Sequence, residues 1–137
     1  MMSSIVVSKL VLKPVELVWQ IYNEPKHMVN WNNASDDWFC PSALSDFKVG
    51  GSFKSNMAAK DGSFAFDFEG IYDVIKPNQQ VSYHMADGRK VDVLFTPNGL
   101  HTHVSVTFDI ETSNEPELQR QGWQAILDNF KRYTESL

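Results

Sequence analysis

Three dipeptides, Asp61-Gly62, Asp87-Gly88 and Asn98-Gly99, constrain the fold more than anything else in the chain. Each carries the residues that a two-residue type I′ hairpin turn needs, because both central positions of that turn take a positive φ. Each also lies between runs in which apolar and polar residues alternate, the mark of strands with one buried face. Phe53, Ser55 and Met57 share a face before the first turn, and Phe64, Phe66 and Phe68 share one after it. Gly70 interrupts the pattern as a bulge or bend does, and Tyr72 to Ile75 carries it on to a turn at Pro77-Asn78. Val81, Tyr83 and Met85, then Val91, Val93 and Phe95, then Val104, Val106, Phe108 and Ile110 continue the apolar face. With Ile5 to Leu12 at the start, this is an antiparallel meander of six or seven strands, the seventh depending on whether Asp46-Phe47-Lys48 pairs.

Two helical regions frame the strands. Pro14 suits a first helical position and Glu16 the first turn, while Val15, Val18, Trp19 and Tyr22 fall on one face. Asn23-Glu24-Pro25 ends that helix and opens a second short one through Val29 to Trp31. From about Glu115 to Glu135 a long helix is expected, with Ser113 or Asn114 as cap and Pro116 in the first turn. Leu118, Gly122, Ile126, Phe130 and Tyr133 form its stripe, with Trp123 and Leu127 beside it. The element order predicts an α+β fold in which a curved antiparallel sheet wraps the C-terminal helix, with residues 1–137 as one domain.

Composition limits the functions. With 12 Lys+Arg against 17 Asp+Glu and a formal net charge of -5, the chain lacks the clustered cations that nucleic-acid binding requires. Residues 1–12 do not read as a signal peptide, and no apolar run reaches the length of a membrane span. Cys40 is the only cysteine, so no internal disulfide forms and a cytoplasmic location is expected. Neither monomer nor homodimer is favoured.

The order and spacing of several short motifs resemble the START-like (SRPBCC) superfamily. They are closest to the branch related to the C-terminal domain of the activator of the ninety-kilodalton heat-shock chaperone ATPase. Lys13 to Trp19 resembles that family's strand-to-helix entry, Trp31 the end of its second helix, and Gly50-Gly51-Ser52-Phe53 the paired glycines opening its second strand. Asp61-Gly62 with Phe68-Glu69-Gly70, and Gly122-Trp123 with Leu127, complete the match. The resemblance implies a helix-grip fold with a cavity between the long helix and the concave sheet, which members use to hold lipids, sterols or polyketides. Members also include cyclases and chaperone activators; the activators carry an additional N-terminal domain that this sequence does not show.

Three functions follow as expectations. The first is binding of a small hydrophobic or aromatic ligand without catalysis. Trp123, Ile126, Leu127 and Phe130 would form the helix wall, and Met57, Phe66, Phe68, Tyr83, Met85, Val93 and Phe95 the sheet wall. Trp31 and Trp38 would close the mouth, and Tyr83 would supply a polar handle. A packed core explains the same aromatic residues equally well. The second is contact with a chaperone or other protein through the exterior. The third is cyclase- or hydrolase-type chemistry through Tyr83, Asp37 or Cys40.

No catalytic constellation, metal site or cofactor is expected. His101 and His103 share a strand face but have no third ligand at metal spacing, and neither His84 nor His27 has triad partners. Asp67, Glu69, Asp73, Asp92 and Asp109 alternate outward and read as solvated, and Asp36-Asp37 reads as surface loop.

Overall fold

The computed structural model describes residues 3–137. Its elements run β1 (Ser4–Val11), α1 (Val15–Asn23), α2 (Pro25–Trp31), β2 (Trp38–Ser45), β3 (Ser52–Ala59), β4 (Ala65–Lys76), β5 (Gln80–His84), β6 (Lys90–Asn98), β7 (His101–Asp109) and α3 (Pro116–Glu135). One seven-stranded antiparallel sheet in the order β1-β7-β6-β5-β4-β3-β2 curls around α3, the helix-grip arrangement that the sequence predicts. Cross-strand pairs put the alternating apolar residues on one face: Val7 opposite Val106, Val106 opposite Val93, Val93 opposite Val81, and Tyr83 opposite Tyr72. These valines are buried to within 2% of full coverage. Burying each contributes on the order of 1.5–3 kcal/mol.

The turns depart from the expected type. At Asp61-Gly62 and Asp87-Gly88 only the glycines take positive φ, 78° and 90°. Each aspartate instead accepts a backbone bond two residues on, from Ser63 N at 2.8 Å and from Arg89 N at 3.1 Å. These are Asx turns in longer loops, where the carboxylate stabilises the bend and a single left-handed glycine closes it. In the third hairpin Asn98 pairs with His101, so the central residues are Gly99-Leu100 with Gly99 at φ 64°. That is the glycine-first arrangement of a type II′ turn.

The seventh strand is not Asp46–Lys48 but Trp38–Ser45, an edge strand with Pro41 inside it and a register shift between Phe39 and Ser42. An edge tolerates the proline because one side of the strand needs no ladder bond. Gly50-Gly51 therefore precedes the third strand. Gly70 pairs in register with Phe53, and the shift in β4 falls between Tyr72 and Val74 instead.

Helix starts also differ slightly. Pro14, at φ -68° and ψ 155°, is the N-cap of α1 rather than its first residue, and its carbonyl accepts the Leu17 and Val18 N–H groups at 3.1 Å. Glu115 precedes Pro116 at the start of α3, so neither Ser113 nor Asn114 caps it. Gln119 organises that approach instead, bonding Glu111 N, Glu111 O and Asn114 O at 2.9, 3.0 and 2.8 Å. Leu118, placed on the apolar stripe by the sequence, is 58% exposed.

Where α3 lies decides where space remains. Its C-terminal half buries Leu127, Phe130 and Thr134, and the helix comes nearest to β1, α1 and α2. Lys131 Nζ bonds Leu10 O at 2.8 Å, and Leu12 N bonds Glu135 Oε2 at 2.8 Å, fastening this end to β1. In the N-terminal half Trp123 stacks on Phe108 of β7, ring centroids 4.4 Å apart and 12° from parallel, and Gln124 Nε2 donates to Ser8 O of β1 at 3.2 Å.

Candidate functional site

Under that half of α3 lies a cavity of about 650 Å³. This volume falls in the range of small-molecule sites, roughly 300–1,000 Å³. Its walls carry nine of the thirteen side chains that the sequence proposes. Met57, Phe66, Phe68, Tyr83 and Met85 come from the sheet, and Trp31, Trp123, Ile126 and Leu127 from the helices. Phe53, a buried β3 residue, anchors the sheet wall, with Tyr83 edge-on at 4.6 Å and Tyr72 at 5.2 Å between ring centroids. Phe68 bridges to the helix wall, its ring 5.8 Å from that of Trp123.

The other four side chains lie elsewhere. Val93 and Phe130 are fully covered in the core. Phe95 is covered by Trp19 and Tyr22, with ring centroids 5.0 and 5.5 Å away. Trp38 sits at the end of the sheet, its ring 6.1 Å from each of Phe64 and Phe66. Trp31, expected at the mouth, is 5% exposed and donates its indole N–H to Ile21 O at 3.1 Å. Phe64, just before β4, and Phe66 within it are 59% and 45% exposed, at the end of the sheet beside Trp38. Phe66 is thus a rim residue and Phe64 lies outside.

The sequence reading did not include Tyr22, Asn23, Met28, Phe53, Ser55 or Val81 among the cavity residues, all of which line it. Ser55 was the readable signal: a small polar residue between Phe53 and Met57 on the inward face of β3. Among the described residues, the hydroxyls of Tyr22, Ser55 and Tyr83 make no hydrogen bond to another protein group, and all three residues line the cavity. Tyr72 differs, since its hydroxyl pairs with Ser45 Oγ at 2.8 Å. Burial pushes the Tyr83 phenol well up from its ordinary range, with the Tyr22 and Tyr72 phenols adding to the effect. Tyr22 is raised for the same first reason. These groups remain neutral hydrogen-bonding hydroxyls at physiological pH.

Of the three residues considered for chemistry, only Tyr83 faces the cavity. Cys40 is buried away from it, its thiol bonded to Ser42 O at 3.3 Å and pushed up by burial. Asp37 is exposed and bonded by Ser35. His101 and His103 are exposed, and His84 pairs with Asp73 at 2.8 Å. Asp92, expected to be solvated, is half-buried and accepts from Ser82 and Gln80 on the outer face. Among the described residues no three metal-ligating side chains come together, and no helix is long and apolar enough to cross a membrane.

A curled antiparallel sheet closed on one long helix, with a lined cavity between them, defines a START-like protein. More narrowly, the chain belongs to the family described as activator of Hsp90 ATPase homolog 1-like protein, whose pattern matches residues 13–135. It is similar to the AHSA1-like protein of Aeromonas hydrophila in solution, with 44% identity and a TM-score of 0.91 over 98% of this chain and 93% of that one. A protein from Cytophaga hutchinsonii is 48% identical, with a TM-score of 0.84 over 97% and 92% of the two chains. A protein from Chromobacterium violaceum shares the fold at 21% identity, with a TM-score of 0.86 over 96% of each chain. No curated protein matches the chain.

Proposed function

We propose that this protein binds a small apolar or aromatic molecule in the cavity between α3 and the sheet. The observation that carries the reading is the pairing of aromatic walls with the Tyr22, Ser55 and Tyr83 hydroxyls, which have no protein partner among the described residues. Hydroxyls facing an apolar cavity need new partners once water is displaced, and a ligand with a polar group supplies them. Apolar walls hold a molecule without favouring its transition state, so binding rather than turnover is the function proposed. The free, buried Cys40 is consistent with a cytoplasmic setting. A thermal-shift screen against fatty acids, sterols, flavonoids and polyketide-like aromatics, with native mass spectrometry, tests it. A ligand at a hundred times its Kd stabilises the fold by about 2.7 kcal/mol. A saturable one-to-one hit supports the reading, and silence across the panel with no co-purified mass sinks it.

The family description favours one second reading, contact with a chaperone of the Hsp90 class through the exterior. Exposed Leu44, Val49 and Phe64 give that surface apolar side chains to bury. Its test is the ATPase rate of a purified Hsp90 with and without this protein, repeated with Leu44→Ser and Phe64→Ser. Stimulation that survives a filled cavity and falls with the surface variants establishes it; an unchanged rate removes it.

A further inference from the structure

Resting on the cavity as a ligand site, we infer that its ligand carries an uncharged polar group, a hydroxyl or ketone, and that the carboxylate analogue of the same molecule is rejected. The inference follows from which charges line the cavity and which do not. Among the described residues no lysine or histidine lines it, and the one cationic side chain there is Arg89, 27% exposed. Its Nε donates to Asp87 Oδ2 at 2.7 Å, so the guanidinium charge is balanced by a carboxylate, although its terminal N–H groups are not used in that bond. Beside it at the mouth stand four acidic residues, Asp67, Glu69, Asp87 and Glu111. Asp67 is partly offset by Asn56 at 3.0 Å and Lys54 at 3.9 Å, and Glu111 accepts from Asn114.

The interior offers a different chemistry. Ser55 is 3% and Tyr83 8% exposed, both line the cavity, and among the described residues neither hydroxyl has a protein partner. A hydroxyl both donates and accepts, so it satisfies an alcohol, a phenol or a ketone without any charge crossing into the cavity. A carboxylate has two oxygens to satisfy, loses its hydration on entry and meets one guanidinium whose charge Asp87 already balances, among four carboxylates. It also has to pass a mouth whose charge has the same sign.

Isothermal titration of the wild-type protein at pH 7 with naphthalene, 2-naphthol and 2-naphthoate separates the possibilities, because the three share one ring system and differ in the polar group. The expected result is that 2-naphthol binds at least about tenfold tighter than 2-naphthoate and several-fold tighter than naphthalene. Tyr22→Phe/Tyr83→Phe should remove most of the advantage of 2-naphthol over naphthalene. Equal or tighter binding of 2-naphthoate overturns the inference while leaving the ligand reading intact. Equal binding of naphthalene and 2-naphthol overturns the role of the hydroxyls in the same way. If none of the three binds, the inference is overturned, while the ligand reading falls only if the wider screen is silent as well. The wild-type series decides the charge question even if the double variant does not fold.

Discussion

The ring of Phe53 fills the space that a side chain at Gly70 would need: a Cβ there would lie 2.9 Å from Phe53 Cε1 and 2.7 Å from the His84 carbonyl oxygen. These two residues face each other across β3 and β4, and the missing side chain lets the sheet close tightly over the aromatic wall of the cavity. Gly70→Ala is expected to destabilise by about 1–3 kcal/mol, measured by urea unfolding. Adding Phe53→Leu should restore only part of the loss, since a ring can yield but a ladder carbonyl cannot. Full restoration would mean that the ring alone sets the constraint.

Thr134 is fully buried in the last turns of α3, and its Oγ1 is the only buried side-chain polar atom without a partner among the described residues. Valine has the same shape without the hydroxyl. Thr134→Val is therefore expected to raise stability by about 1 kcal/mol. Thermal and urea denaturation measure it, and a clear loss would show that the hydroxyl is satisfied in solution.

Burial raises the phenols of Tyr22, Tyr72 and Tyr83 above the ordinary value of 10.0. Below pH 10 both native and unfolded chains keep these protons, so the three contribute no pH dependence. Above it the unfolded chain ionises first, the native state holds more protons, and stability falls as pH rises. The slope is about 1.4 kcal/mol per pH unit for each tyrosine ionised only in the unfolded state. Urea midpoints between pH 8 and 11 should be flat and then fall, less steeply in Tyr83→Phe; an unaltered slope in that variant would place the titration elsewhere.

Phe66 and Phe130 make a contrasting pair. Phe66 lies at the cavity rim and is 45% exposed, whereas Phe130 is fully buried beside Tyr22 and Trp31 and does not line the cavity. Phe130→Ala is expected to cost about 3–5 kcal/mol. Phe66→Ala should stay within roughly 1 kcal/mol of wild type and instead weaken any ligand found in the screen. Similar losses of stability in the two variants would contradict the placement of Phe66.

How much was legible varied along the chain. In β6 and β7 the alternation of Val91, Val93 and Phe95 with Val104, Val106 and Phe108 was readable because both strands have neighbours on either side and one face packs continuously. The strand Trp38–Ser45 was not, because an edge strand with Pro41 and a register shift has no unbroken period of two. For Phe66 the face was right and the burial was not, since no local pattern records how far a helix reaches over a strand.

By itself, the sequence determined the order of elements, the apolar face of most strands and the aromatic content of the interior, because these depend on side-chain period and turn chemistry within a few residues. Only the tertiary structure decided which of those aromatics line a cavity and which fill the core. Tyr22 on α1, Ser55 on β3 and Tyr83 on β5 come to one cavity through the curl of the sheet and the stand-off of α3. Whether each hydroxyl finds a partner depends on distances between elements remote in the chain, which no local spacing encodes.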